Sequence, residues 1–104
     1  MKRGEVWWVN FPRPTGHRPA VLVSRQEAYE RRSSMTVVPL TRTIRTIRSH
    51  ILLGPEDGIP KRSVANADNI TTVPNVLARE YLTTLSPEKL AALESAIKFS
   101  LDLP

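Results

Sequence analysis

No cysteine occurs among the 104 residues. Its absence excludes disulfides, thiolate zinc sites and cysteine nucleophiles, and it fits a cytoplasmic location. No stretch approaches the roughly 18 consecutive apolar residues of a membrane-spanning helix. The opening Met1-Lys2-Arg3-Gly4-Glu5 lacks the apolar run of a secretory signal. Internal repeats and low-complexity tracts are also missing. What remains is 40% hydrophobic, enough for one modest core, and residues 1–104 are read as a single domain.

The charge is abundant and uneven. Residues 1–62 hold twelve Lys/Arg against five Asp/Glu, a net of +7, and residues 63–104 hold three against five, a net of −2, which together return the formal +5. Such a balance favours a polyanionic partner, bound mainly by the first 60 residues. No metal and no cofactor is expected.

Glu5 to Phe11 is aromatic and β-branched and predicts a strand. Pro12 to His17 contains two prolines and a glycine and predicts a loop. Ala20 to Ser24 is a continuous apolar run short enough for a buried strand. Gln26 to Arg32 is polar and suits one or two helical turns. Met35 to Thr41 predicts a third strand, whose Pro39 requires a bulge or an edge. Ser49 to Leu53 is a fourth strand, and Gly54 to Pro60 a turn-rich link. Ser63 to Val73 reads as one or two strands, and Tyr81 to Leu85 as the last. Ser86, Pro87 and Glu88 then carry the cap, first-position and dipole signals of a helix start. Leu90, Leu93, Ile97 and Leu101 follow at helical spacing as one apolar stripe. The fold class is mostly β: a small antiparallel barrel with a short helix and a C-terminal amphipathic helix.

Four segments resemble the MazF/PemK/Kid toxins. They are Arg3-Gly4-Glu5-Val6-Trp7-Trp8-Val9, then Gly16-His17-Arg18-Pro19-Ala20-Val21-Leu22-Val23-Ser24, then Val37-Val38-Pro39-Leu40-Thr41, and Ser63-Val64-Ala65-Asn66-Ala67-Asp68-Asn69-Ile70. Their order and spacing match that family over nearly the whole chain. The resemblance implies an SH3-like barrel, a homodimer, metal-independent and sequence-selective cleavage of single-stranded RNA that inhibits growth, and a cognate antitoxin protein that blocks the site. The family's catalytic arginine and threonine fall on Arg18 and Thr41. The aspartate given acid/base work in some members falls on Asp68. Two departures stand out. The loop between the first two strands is short and lacks the family's frequent Glu-Gln, and Asn66 stands where some members carry an arginine.

The residue types suit RNA scission. The 2′-hydroxyl attacks the adjacent phosphorus, so a catalyst must take its proton, stabilise the phosphorane and allow protonation of the leaving 5′-oxygen. Arg18 offers paired donors to phosphate oxygens and normally stays protonated, which suits a charge stabiliser, or an acid, rather than a base. Thr41 adds a hydroxyl donor. The products would be a 2′,3′-cyclic phosphate or 3′-phosphate and a 5′-hydroxyl. The base is left open among Asp68, His17 and the phosphate's own oxygen. His17, Arg42, Arg45, Arg48 and Asn66 are the expected RNA-binding residues. The three arginines recur every third residue after Thr41, where they could follow a phosphate backbone or form a solvated charge run. Trp7 and Trp8 must face opposite sides of their strand, one in the core and one free to stack a base or meet a partner. Three other readings compete: a non-enzymatic gyrase poison of the CcdB type, an RNA-binding barrel without catalysis, and a two-histidine ribonuclease using His17 and His50.

Overall fold

The computed structural model describes residues 1–104. In chain order it has β1 (Glu5–Asn10), β2 (His17–Leu22), α1 (Ala28–Arg31), β3 (Ser34–Thr41), β4 (His50–Leu53), β5 (Ser63–Asn66), β6 (Thr71–Pro74), β7 (Ala78–Thr84) and α2 (Pro87–Ser100). All strand pairs are antiparallel. The ladders run β4-β5-β3-β2-β1-β7, with β6 beside β3. The mostly-β expectation holds, with one qualification: no ladder joins the outer strands β4 and β7, so the barrel is not closed by hydrogen bonds.

The continuous apolar runs arise because the central strands are buried on both faces. Val21 of β2 and Val38 and Leu40 of β3 join Val6, Leu53, Ile59 and Leu93 in one core cluster. Their alternate neighbours Ala20, Leu22, Met35 and Val37 join Val9, Phe11 and Val73 in a second. The two-residue period of a strand therefore deals side chains alternately into two cores. The first lies under α2. Ser86 caps that helix by accepting from Lys89 N at 3.1 Å, and Leu93 is completely buried. The expected stripe ends early: α2 stops at Ser100, and Leu101 is 49% exposed beyond it.

Pro39 sits inside a central strand, and the register explains why it is tolerated. Val23 N donates to Thr36 O at 3.1 Å. In that register Val21↔Val38 is the next bonded pair and Ala20↔Pro39 a non-bonded one. Pro39 thus turns its missing N–H to the other edge of β3. There residues 34–37 pair with β6 and residues 40–41 with β5, so the proline falls where the edge changes partner. Ser63–Val73 accordingly splits into two strands joined by a 3₁₀ turn at Ala67–Asn69.

The same logic opens a gap. One step further, Pro19 would oppose Leu40 as a bonded pair, but proline has no N–H to give. The β2–β3 pairing ends at Ala20↔Pro39, although β2 begins at His17 and β3 continues to Thr41. His17 itself was expected in the loop. It belongs to β2 because it pairs with Asn10 across the turn, which Phe11 N and Gly16 O close at 3.1 Å.

Candidate active site

The gap between the ends of β2 and β3 is a cavity of about 480 Å³. His17, Arg18 and Pro19 form one wall, Leu40, Thr41, Arg42 and Thr43 another, and Ile59, Pro60, Lys61 and Ser63 a third, with Trp8 alongside. The two residues on which the sequence reading rested, Arg18 and Thr41, therefore border one space.

Local structure holds Arg18 there. Its Nη1 donates to Leu40 O at 3.4 Å, supplying the donor that Pro19 cannot, and its Nη2 donates to Thr15 O at 3.0 Å. Nε is buried with no partner. An unpaired buried donor costs roughly 1–3 kcal/mol and is expected where an acceptor arrives or a network is left incomplete. Thr41 Oγ1 accepts from Thr43 N at 3.3 Å. The hydroxyl hydrogen remains free to donate into the cavity.

The imidazole of His17 is fixed from two sides. Its ring stacks on Trp8, with centroids 4.8 Å apart and planes 8° from parallel. Its Nδ1 lies 2.6 Å from Asn10 Oδ1. Trp7, on the other face of β1, packs against the second core cluster and meets Tyr81 edge-on. The two rings do take opposite faces, but neither is fully buried: Trp7 is half-buried against the second core cluster rather than inside it, and Trp8 is the one at the cavity.

The remaining expected site residues scatter. Arg42 lines the cavity. Arg45 is exposed and makes no hydrogen bond or ion pair. Arg48 turns away and lies over the Phe99 ring of α2, 4.2 Å from its centroid. Asn66 is a local cap whose Oδ1 accepts from Asp68 N at 3.0 Å. The expectation of Asn66 as an RNA contact gains no support from the cavity, whose lining does not include it.

Asp68 is likewise engaged elsewhere. It borders a second depression, of about 680 Å³, that Arg18 shares and Thr41 does not. Both carboxylate oxygens accept hydroxyl donors: Oδ2 from Ser49 at 2.6 Å and Oδ1 from Ser100 at 2.7 Å. These bonds, Ser49 first and Ser100 next, hold its pKa below the ordinary 3.8, and nearby His50 adds to the effect. A carboxylate stabilised in its ionised form is a weakened base. Asp68 ties the end of α2 to the chain before β4. Because its folded pKa is depressed, this anchoring is in full force above the unfolded value and is lost as pH falls through the folded one. Acidification below pH 3.8 should therefore loosen residues 99–103 before the sheet. Hydrogen exchange of those amides against pH checks this, and protection that stays constant to the point of global unfolding would contradict it.

His50 begins β4 and borders neither space. Its absence from the cavity lining leaves no geometric basis for pairing it with His17 in a two-histidine mechanism. No three His, Asp or Glu side chains gather in a way that could hold a metal ion, and no helix is long and apolar enough to cross a membrane.

Lys61, Thr43 and Asn10 escaped the sequence reading. Lys61 lay just after the turn-rich link, between Pro60 and the next strand, with no pattern to mark it. Asn10 could have been found only from the register that sets it opposite His17.

Known proteins resemble this chain in both sequence and fold. Residues 2–101 match a family model described as the PemK-like, MazF-like toxin of type II toxin–antitoxin systems. Among curated proteins, the probable endoribonuclease MazF5 of Mycobacterium tuberculosis is 36% identical over 101 residues, covering 96% of this chain and 92% of the relative. A solved endoribonuclease from a mycobacterial species, in complex with its cognate antitoxin, superposes with a TM-score of 0.87 at 29% identity, over 100% of this chain and 97% of the other. The Mycobacterium tuberculosis toxin MazF-mt6 shares the fold at a TM-score of 0.88 and 23% identity, covering 96% and 98%.

Proposed function

Because the chain belongs to the PemK-like, MazF-like toxin family, we propose that it is an endoribonuclease toxin that cleaves single-stranded RNA without a metal ion, in the cytoplasm, as a homodimer restrained by a cognate antitoxin. The observation that carries this reading is the shared cavity of Arg18 and Thr41, opened by Pro19 at the end of the β2–β3 ladder.

In this reading the scissile phosphate enters the cavity and accepts from the Arg18 guanidinium and the Thr41 hydroxyl. Both donors are set before the substrate arrives, so they stabilise charge that grows on the phosphorane without reorganising. Arg42 and Lys61 flank the same space and attract the neighbouring phosphates. The 2′-oxygen attacks phosphorus, the P–O5′ bond breaks, and a 2′,3′-cyclic phosphate and a 5′-hydroxyl result. The strongly basic first 62 residues suit both RNA and an acidic antitoxin segment, which would compete for one surface.

The test uses the purified protein and a mixed-sequence RNA in excess EDTA, with both new ends mapped. Scission with cyclic or 3′-phosphate upstream and 5′-hydroxyl downstream is the expected result. Intact RNA, 5′-phosphate ends or a requirement for added magnesium would overturn it. A gyrase poison or a silent RNA-binding barrel predicts intact RNA, so the same assay separates those readings.

A further inference from the structure

We infer that His17 is the general base of this nuclease, taking the 2′-hydroxyl proton on Nε2 while Asn10 and Trp8 hold its ring. The inference rests on the nuclease reading above and identifies the group which that reading leaves unnamed.

Three observations lead to it. First, His17 lines the cavity beside Arg18 and across from Thr41. It directly precedes Arg18 on β2, so the two side chains leave opposite faces of the strand and border the same cavity from either side of its end. Second, the bond to Asn10 selects a tautomer. An amide oxygen can only accept, so Nδ1 must carry the hydrogen in the 2.6 Å contact. In the neutral ring the lone pair is then on Nε2, which makes no bond within the protein. Asn10 orients the ring without adding a charge, and Trp8, stacked at 4.8 Å, supports one of its faces. Third, the rival is occupied. Asp68 is absent from this cavity, and both of its oxygens already accept from serine hydroxyls.

The charged groups that share the cavity with His17 are Arg18, Arg42 and Lys61, and no carboxylate lines it. The step balances simply. The 2′-O–H bond breaks with its proton going to Nε2, the 2′-O–P bond forms, and the P–O5′ bond breaks. The leaving 5′-oxygen takes a proton from water, and the imidazolium returns its own to solvent. A positioned general base contributes typically 10²–10⁴-fold.

The experiment measures single-turnover cleavage of an RNA oligonucleotide from pH 5 to 9, with binding followed separately on its uncleavable 2′-O-methyl analogue. For the unmodified protein the rate should rise about tenfold per pH unit on the acid side and then level off. His17→Gln should lower the plateau rate on the order of 10²–10³-fold and erase the acid limb, with affinity for the analogue changed by less than about threefold. Added imidazole should restore part of the rate to His17→Gly. Asp68→Asn should keep the acid limb. Loss of the limb in Asp68→Asn, or its persistence in His17→Gln, overturns the inference. So does a His17→Gln rate within about threefold of the original. A loss confined to affinity would make His17 an RNA contact instead. None of these results touches the nuclease reading, which fails separately if the unmodified protein leaves the RNA intact.

Discussion

Arg18→Ala should abolish measurable cleavage, a loss on the order of at least 10³-fold in single-turnover rate, while the protein stays folded. Removing one preorganised donor to a developing oxyanion typically costs on the order of 10²–10³. An arginine clamp on a transferring phosphoryl group reaches on the order of 10³–10⁵. The upper part of this range applies because the side chain is fastened before substrate binds: Nη1 to Leu40 O and Nη2 to Thr15 O. Those two bonds bound the structural damage, since a net hydrogen bond contributes about 0.5–1.5 kcal/mol. Arg18→Lys supplies a sharper comparison. It keeps the charge but cannot span Leu40 and Thr15 while also offering a planar pair of donors, so it should recover binding more than rate. Circular dichroism and thermal unfolding establish that the variants fold, and cleavage of the same RNA measures the loss. Turnover of Arg18→Ala within tenfold of the original would remove this guanidinium from the chemistry.

Arg18 and Thr41 could be chosen from the sequence because the motifs around them are local and lie in register along the chain. The helix α2 was legible for a similar reason: Ser86 caps it, Pro87 starts it, and Leu90, Leu93 and Ile97 mark its buried side. The short apolar runs identified the strands, but their ends depend on partners far away in sequence. His17 joins β2 only because Asn10 stands opposite. Residues 63–74 break into two strands because β3 exchanges one partner for another at Pro39. The fate of polar side chains was the least legible. Arg48 looks equivalent to Arg42 and Arg45 in a run of every third residue. The ring of Phe99, 51 positions later, takes it out of the basic loop. Asp68 sits in a family-like motif, yet Ser49 and Ser100 claim its oxygens from segments 19 and 32 residues distant. Spacing in the chain reports which face a residue occupies, whereas its hydrogen-bond partners are set by the packing of whole elements.

Gly58→Ala should destabilise the protein by roughly 2–5 kcal/mol, from left-handed strain and overpacking together, and should damage the cavity wall that follows it. Gly58 has φ +85°, a region in which a Cβ meets the backbone. It ends the 54–58 turn, in which Gly58 N donates to Pro55 O at 3.0 Å and Ile59 N to Gly54 O at 3.1 Å. A Cβ built there would lie 2.4 Å from Thr83 Oγ1 and 2.7 Å from Thr83 Cβ. Thr83 is β-branched and held in β7, so it cannot swing aside as the end of a long side chain would. Gly16 is an internal control. It also has positive φ, +72°, but a Cβ there would meet nothing within 4 Å. Gly16→Ala should therefore cost only the backbone strain, about 1 kcal/mol. At about 4–8 °C per kcal/mol for a domain of this size, the two variants separate clearly in thermal unfolding. Trimming the opposing side chain in the double variant Gly58→Ala/Thr83→Ala should return only part of the loss, because the Cβ at 2.7 Å and the strained φ both remain. The functional consequence follows from Ile59, which is 98% buried in the first core cluster and leads directly into Pro60 and Lys61. Displacing that anchor moves Lys61 away from the phosphate path, so the folded fraction of Gly58→Ala should bind RNA more weakly than Gly16→Ala. Equal melting temperatures for the two alanine variants would show that the approach of Thr83 contributes nothing, and the rigid link from this turn to the third wall of the cavity would fall with it.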